Sequence, residues 1–165
     1  MSDIQIFVTG GTFDKTYNFI DGKLFFEKTH VPKMLKRAKC NLNIKTKQLM
    51  LIDSLEMNLK HLEIIHKACY ECNRNLIIIT HGTDKMTVTA KYLIDNNIPN
   101  KVIVLTGAII PYAFGSSSDG FFNLGSSLSA VQYLKPGVYI NIHGKTFIGD
   151  KVLKDKKNGT FRSIH

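Results

Sequence analysis

The strongest constraint on the fold is a series of short apolar runs, each closed by glycine or a small polar turn. Ile4 to Val8 stops at Gly10-Gly11, Leu76 to Ile79 leads into His81-Gly82, and Val102 to Leu105 ends at Thr106-Gly107. Such runs have strand length, and their nearly unbroken apolar character suits strands covered on both faces. Val138 to Ile142 is a further strand, Ile44 to Ile52 a more mixed one, and Leu24 to Phe26 a short edge strand after the Asp21-Gly22 turn. Helical patterns lie between them. Val31 to Ala38 carries Pro32 in its first turn, where a missing backbone donor costs little. A helix over Asn58 to Cys72 places Leu59, Leu62, Ile65, His66 and Cys69 on one apolar stripe facing a sheet. Two more helices are predicted, one following His81-Gly82-Thr83-Asp84 through Ile94 and one over Phe121 to Leu134. The alternation predicts a three-layer, doubly wound α/β domain with a mostly parallel sheet over residues 1–165.

Charge and cysteine usage narrow the function classes. Lys and Arg number 22 against 13 acids, a formal charge of +9. The excess gathers at Lys33, Lys36, Arg37, Lys39, Lys45 and Lys47, and again at Lys151, Lys154, Lys156, Lys157 and Arg162. Neither cluster has interleaved aromatics or a nucleic-acid module, so solvated basic faces account for them and nucleic acid is not an expected partner. Cys40, Cys69 and Cys72 form no disulfide framework, and the Cys69–Cys72 spacing lacks the second pair a zinc site needs. No apolar run approaches the length of a membrane span and no secretory leader is visible, so the cytoplasm is the expected compartment.

The polar motifs follow the strands, which places them at the carboxyl edge of the sheet, where open α/β folds bind ligands. Thr9-Gly10-Gly11-Thr12-Phe13-Asp14 permits a sharp turn with a hydroxyl beside it, yet matches neither a dinucleotide fingerprint nor a Walker loop. His81-Gly82-Thr83-Asp84 offers a second hydroxyl at a strand-to-helix junction. Asp84 there could cap the helix or hold an amino group, while His81 shapes the turn through its own hydrogen bonds. In Asp53-Ser54-Leu55-Glu56-Met57-Asn58 a helix-entry capping box is the simplest account of the segment, with Glu56 free to cap, pair with a lysine or orient a hydroxyl. Lys154, taken alone, is one more solvated lysine.

Order and context change those readings. TGGTFD at 9–14, DSLEMN at 53–58, HGTDKM at 81–86, LTGAIIPYAFGSSSDGFFNLG at 105–125 and IGDKVLK at 148–154 together resemble the motif series of the amino-terminal catalytic domain of bacterial-type L-asparaginases. The resemblance covers nearly the whole chain. It implies a flavodoxin- or Rossmann-like domain that hydrolyses the side-chain amide of L-asparagine to L-aspartate and ammonia, with no metal or organic cofactor. Thr12 is then the nucleophile, Tyr17 the tyrosine of the active-site loop, and Thr83, Asp84 and Lys154 the supporting cluster. Gly11, Ser54, Leu55, Glu56, Thr83 and Asp84 become the substrate-binding set, with Ser54 meeting the α-carboxylate and Asp84 the α-amino group.

In the family a second domain completes this pocket across a subunit interface. That domain is expected to be absent here, so a homo-oligomer, dimer or tetramer, is the expected partner beside the amino-acid amide. Leu55 replaces a polar residue of the family's substrate loop, and Ile110 a basic one. Both bear on substrate choice: hydrolysis of glutamine or another small amide is the alternative activity, and a non-catalytic amino-acid-binding domain the alternative class.

Overall fold

Strand β1 (Asp3–Gly10) is buried from Ile4 onward, because its alternate side chains enter different layers. Ile4, Ile6 and Val8 join one apolar cluster, and Phe7 joins the other. The computed structural model describes residues 3–164. After β1 come strands β2 (Lys15–Asn18) and β3 (Lys23–Phe26), then helix α1 (Val31–Arg37), strand β4 (Asn43–Ile52) and helix α2 (Leu59–Tyr70). Strand β5 (Leu76–Thr80), helix α3 (Met86–Asp95), strand β6 (Val102–Thr106) and helix α4 (Gly120–Ala130) follow. The chain continues through strands β7 (Gly137–Ile142), β8 (Lys145–Ile148), β9 (Val152–Asp155) and β10 (Thr160–Ser163).

The main sheet has the order β4-β1-β5-β6-β7-β8, parallel throughout except for the antiparallel pairing of β8 with β7. Ile77, Ile79, Ile103 and Leu105 face the layer holding Ile65 and Cys69 of α2 and Met86, Ala90 and Leu93 of α3. Ile78, Val102 and Val104 face the opposite layer, with Val31 and Met34 of α1 and Leu124 and Leu128 of α4. Each buried Ile, Leu, Val or Met among them contributes about 1.5–3 kcal/mol, and double coverage is what makes the central strands legible as continuous apolar runs. Among the described residues, no helix is long and apolar enough to cross a membrane.

The expected three-layer, doubly wound architecture is therefore present. Its parallel strands, counted in chain order, lie as 2-1-3-4-5, so the winding direction reverses between β1 and β5. The loops that leave those two strands at their carboxyl ends flank the crevice where such folds take ligands.

Several local expectations shift. Leu24 to Phe26 does form a strand, but it pairs antiparallel with β2 in a separate hairpin rather than along the main sheet. The helix stripe at 58–72 is narrower than its spacing implies. Leu59 is 58% exposed and only Ile65 and Cys69 are buried, because α2 covers the sheet near β4, none of whose residues is fully buried. The expected helix-entry box is present at Asn58 and does not use Glu56: the Asn58 side chain accepts from the start of α2 while His61 Nδ1 accepts from Asn58 N–H. Helix α4 ends at Ala130, where Gln132 Nε2 donates to Leu128 O and takes over a terminal carbonyl.

Candidate active site

Glycines bring the loops into contact. Gly11 has φ +71°, and a Cβ placed there would lie 2.3 Å from Gly82 N and 2.4 Å from Gly82 Cα. Only glycine tolerates that conformation and that approach together. A Cβ on Gly82 would in turn meet Ser54 Oγ at 2.5 Å. The segments after β1, β4 and β5 are thus packed backbone to backbone, and Thr12 and Thr83 are each the next residue after one of the touching glycines. Gly11 N–H donates to Ile52 O at 2.9 Å, fixing the first loop against the end of β4.

Lys154 reaches this junction from outside the main sheet. In β9, Val152 packs into the α3-side core and Lys154, two residues on, points the same way. Phe161 of β10 stands opposite Lys154 in the antiparallel pair and is buried, which anchors the hairpin. The Lys154 side chain is 13% exposed, and its Nζ donates to Thr83 Oγ1 and to Asp84 Oδ1, both at 2.7 Å. It is no solvated tail residue. Asp84 does not cap α3 either, since that helix has no side-chain cap and its carboxylate is engaged by Lys154.

His81 supports the turn rather than the chemistry. It is fully buried, with Nδ1 2.7 Å from Gly82 O and Nε2 2.8 Å from Thr89 Oγ1. A carbonyl can only accept, so Nδ1 carries the proton and Nε2 accepts from the threonine hydroxyl. Burial pushes the imidazole pKa down to about 4, against the opposing Gly82 contact, so the ring is neutral at pH 7.

Ser54 is buried, and its Oγ accepts from Lys85 N–H at 3.3 Å. Lys85 Nζ donates to Leu55 O and Met57 O, stapling the 53–57 loop to the start of α3. Leu55 is 59% exposed and Glu56 is exposed. Asp53 takes the Lys15 ammonium on Oδ2 at 2.5 Å and Leu55 N–H on Oδ1 at 3.0 Å. Burial acts to raise its pKa, but the Lys15 and Leu55 hydrogen bonds outweigh burial and hold it below the usual value.

The remaining sequence candidate stands apart. Tyr17 belongs to β2, is 51% exposed, and points its hydroxyl towards the hairpin turn, 3.8 Å from where a Gly22 Cβ would sit. Thr12 is half-buried in a 3₁₀ turn with Phe13 and Asp14. Among the described residues the hydrogen bonds around Lys154 reach Thr83 and Asp84, and reach neither Thr12 nor Tyr17. No group of three or more His, Cys, Asp or Glu suited to a metal ion occurs among the described residues.

Sequence reasoning passed over three positioning groups: Lys15, Lys85 and the pair Asp119–His143. The last lies on the Gly107 side of the site. Asp119 accepts from Ile109 N and Ile110 N and contacts His143 Nε2 at 3.0 Å, and Asn123 bridges to Gly107 O. Lys15 and Lys85 lie inside or beside the quoted motifs, but only the fold shows which carboxylate or carbonyl each one meets.

Comparison with known proteins gives the family. The family model described as asparaginase, N-terminal, matches residues 3–165. The L-asparaginase of Thermococcus kodakarensis is 29% identical over 136 residues, 78% of this chain and 40% of the relative. A glutamyl-tRNA(Gln) amidotransferase component from Methanococcus maripaludis is 30% identical over 177 residues, all of this chain and 40% of its own length. L-asparaginase 2 of Escherichia coli is 28% identical, over all of this chain and 50% of its own length. Among solved structures, the thermostable L-asparaginase from T. kodakarensis superposes with TM-score 0.86 at 26% identity, over 98% of this chain and 51% of the other. The probable cytoplasmic L-asparaginase from Campylobacter jejuni superposes with TM-score 0.80 at 27% identity, over 93% and 50%. The chain spans about 40–50% of the length of the relatives it matches. A family match over nearly all its residues, with the threonine loops meeting at the sheet's switch point, places the chain in the asparaginase family as an asparaginase N-terminal domain.

Proposed function

We propose that the domain carries the reactive centre of an amidohydrolase that converts L-asparagine to L-aspartate and ammonia through a threonine acyl-enzyme. The observation that carries this reading is the Lys154 Nζ bridge between Thr83 Oγ1 and Asp84 Oδ1 beside the Gly11–Gly82 contact. Thr12 Oγ1 attacks the amide carbon and gives up its proton; as the tetrahedral intermediate collapses, the amide nitrogen takes up one proton and leaves as ammonia, and an ester to Thr12 remains. Water then adds to the ester, releasing aspartate and restoring the hydroxyl. A threonine hydroxyl is a weak nucleophile until a neighbour takes its proton. The same 2.7 Å contact serves either state of the lysine: an amine at Lys154 accepts a proton by way of Thr83, and an ammonium stabilises negative charge developing there. Asp84 orients that nitrogen and, with its side chain 36% exposed, offers carboxylate surface to a substrate ammonium. Gly11, Ser54 and Glu56 belong to the same substrate-facing set, and Tyr17 joins when the hairpin moves inward. No metal or organic cofactor is needed for these steps.

A second reading is hydrolysis of glutamine or another small amide. It is favoured by Leu55, whose side chain makes no hydrogen bond to hold asparagine, and by the amidotransferase components among the relatives. The exposed hairpin and the accessible Asp84 support completion of the pocket by another surface, and a second copy of the chain is the simplest supply. A cytoplasmic setting fits the name borne by the C. jejuni relative. Ammonia release across asparagine, glutamine and substituted amides, against a Thr12→Ala control, tests the proposal. Turnover of asparagine above that control is expected; a panel with no member above it refutes amide hydrolysis and leaves a binding domain.

A further inference from the structure

A second concave site lies on the other side of the hairpin, between its base, α1 and the turn at Tyr112. The cavity holds about 500 Å³ and is lined by Thr16, Lys28, His30, Lys33, Arg37 and Tyr112, with Glu27 its one carboxylate. That is the size range of small-molecule sites. Three permanent cations against one acid leave an excess of positive charge. Among the described residues, none of Lys28, Lys33 and Arg37 forms a salt bridge, whereas Lys15 and Lys154 at the reactive centre are both paired.

The cavity is partly organised already. Arg37 Nη1 donates to Tyr112 Oη at 3.4 Å, and its guanidinium lies 5.1 Å from the centre of the Phe121 ring. Aromatic packing rather than a carboxylate therefore sets its plane, which leaves hydrogen-bonding edges for a ligand. His30 and Tyr112 form a ring pair with centroids 5.5 Å apart, and His30 Nε2 is 3.3 Å from Thr16 Oγ1. Burial first and the Lys33 charge second lower the His30 pKa; Glu27 opposes and Lys28 reinforces the shift. The imidazole thus senses a positive field from the cavity wall.

We propose that this cavity binds a phosphomonoester, with the phosphate between Lys33 and Arg37, Lys28 at the mouth, and the organic part against the His30–Tyr112 rings. A phosphomonoester carries close to two negative charges at neutral pH and three acceptor oxygens, which matches cations approaching from several sides. A carboxylate would leave the excess charge unbalanced. The ligand would also touch Thr16 and the residues following β3, so it would brace the root of the hairpin that carries Tyr17.

Calorimetric titration at fixed ionic strength with inorganic phosphate, phenyl phosphate and phenol tests the site. Saturable binding of phenyl phosphate is expected, with inorganic phosphate weaker and phenol weaker still. Lys33→Gln should weaken phenyl phosphate by about tenfold, as loss of one charge-assisted contact does. Arg37→Gln should do the same with folding checked by circular dichroism, and Lys33→Gln carries the test if Arg37→Gln unfolds. Lys157→Gln removes the same charge from the other basic cluster and should change nothing. Bound phenyl phosphate should also raise the His30 pKa followed by NMR. Phenol binding as tightly as phenyl phosphate, or equal weakening by Lys33→Gln and Lys157→Gln, overturns the proposal. Inorganic phosphate binding as tightly as the ester assigns the pocket to free phosphate and overturns the role of the rings.

Discussion

The two threonine loops differ in how finished they are. The loop after β5 is locked: His81 is buried and hydrogen-bonded at both ring nitrogens, Gly82 packs against Gly11 and Ser54, and Thr83 holds Lys154. The loop after β1 shares the glycine contact, but it continues into a hairpin with Tyr17 51% and Phe19 85% exposed. One half of the centre is preorganised by the core throughout, whereas the other is buried as far as Phe13 and Asp14 and then runs into the exposed hairpin. Preorganisation makes electrostatic stabilisation effective, whereas a mobile element suits substrate entry and closure. The contrast predicts that changes in the first loop act on chemistry and that changes in the hairpin act on substrate capture.

The largest effect is expected from Lys154→Met. It should cut ammonia release by about 10³-fold or more, in the range of a lost electrostatic or acid–base group, with the thermal midpoint nearly unchanged because Asp84 retains access to water. Full turnover in that variant would place the chemistry elsewhere. Gly82→Ala probes the junction itself: its Cβ has no room beside Ser54, so a stability loss of about 2–4 kcal/mol in urea unfolding is expected. Tyr17→Phe should leave stability within about 0.5 kcal/mol, as at other exposed sites, and should raise KM or lower kcat only if the hairpin closes over substrate.

Asp14 sharpens the comparison through pH. It lies two residues after Thr12, is fully buried, and its Oδ1 accepts from Thr29 Oγ1 and His30 N while Oδ2 has no partner among the described residues. Burial raises its pKa to about 6, only partly offset by those two hydrogen bonds. A carboxyl with a folded-state pKa above its unfolded value binds a proton more readily when folded. Its contribution is therefore most favourable below the unfolded value of 3.8 and is lost as pH rises through about 6. Asp14→Asn should stabilise the fold by about 1–2 kcal/mol at pH 7–8, and the gain should shrink towards pH 4 in a pH series of melts. His81 acts with the opposite sign: its lowered pKa means stability is lost as pH falls from 6.5 towards 4. A gain from Asp14→Asn that does not vary with pH would show that burial leaves the carboxyl at its unfolded pKa of 3.8.

How much of this could be read from the residues follows from burial. The central parallel strands are covered on both faces, so their sequences are unbroken apolar runs and their ends mark the motif loops. Strands β2, β8, β9 and β10 span four residues each and none has more than one buried residue, so no periodicity sets them apart. Lys154 illustrates the cost. Its neighbours Lys151, Lys156 and Lys157 are exposed, and only the pairing of β9 with β10 shows that this lysine turns inward. The family resemblance singled it out where composition could not. Leu59 failed in the opposite direction: correct helical spacing placed it on a stripe that the narrow sheet edge does not cover.

The central claim is that Thr12 forms the acyl bond while the Thr83–Lys154 pair drives it. Acid quenching during turnover of L-asparagine, followed by peptide mass mapping, tests this directly. The account predicts an aspartyl ester on the peptide containing Thr12, lost in Thr12→Ala and diminished in Lys154→Met. An ester on the Thr83 peptide, or turnover that survives Thr12→Ala, would contradict it.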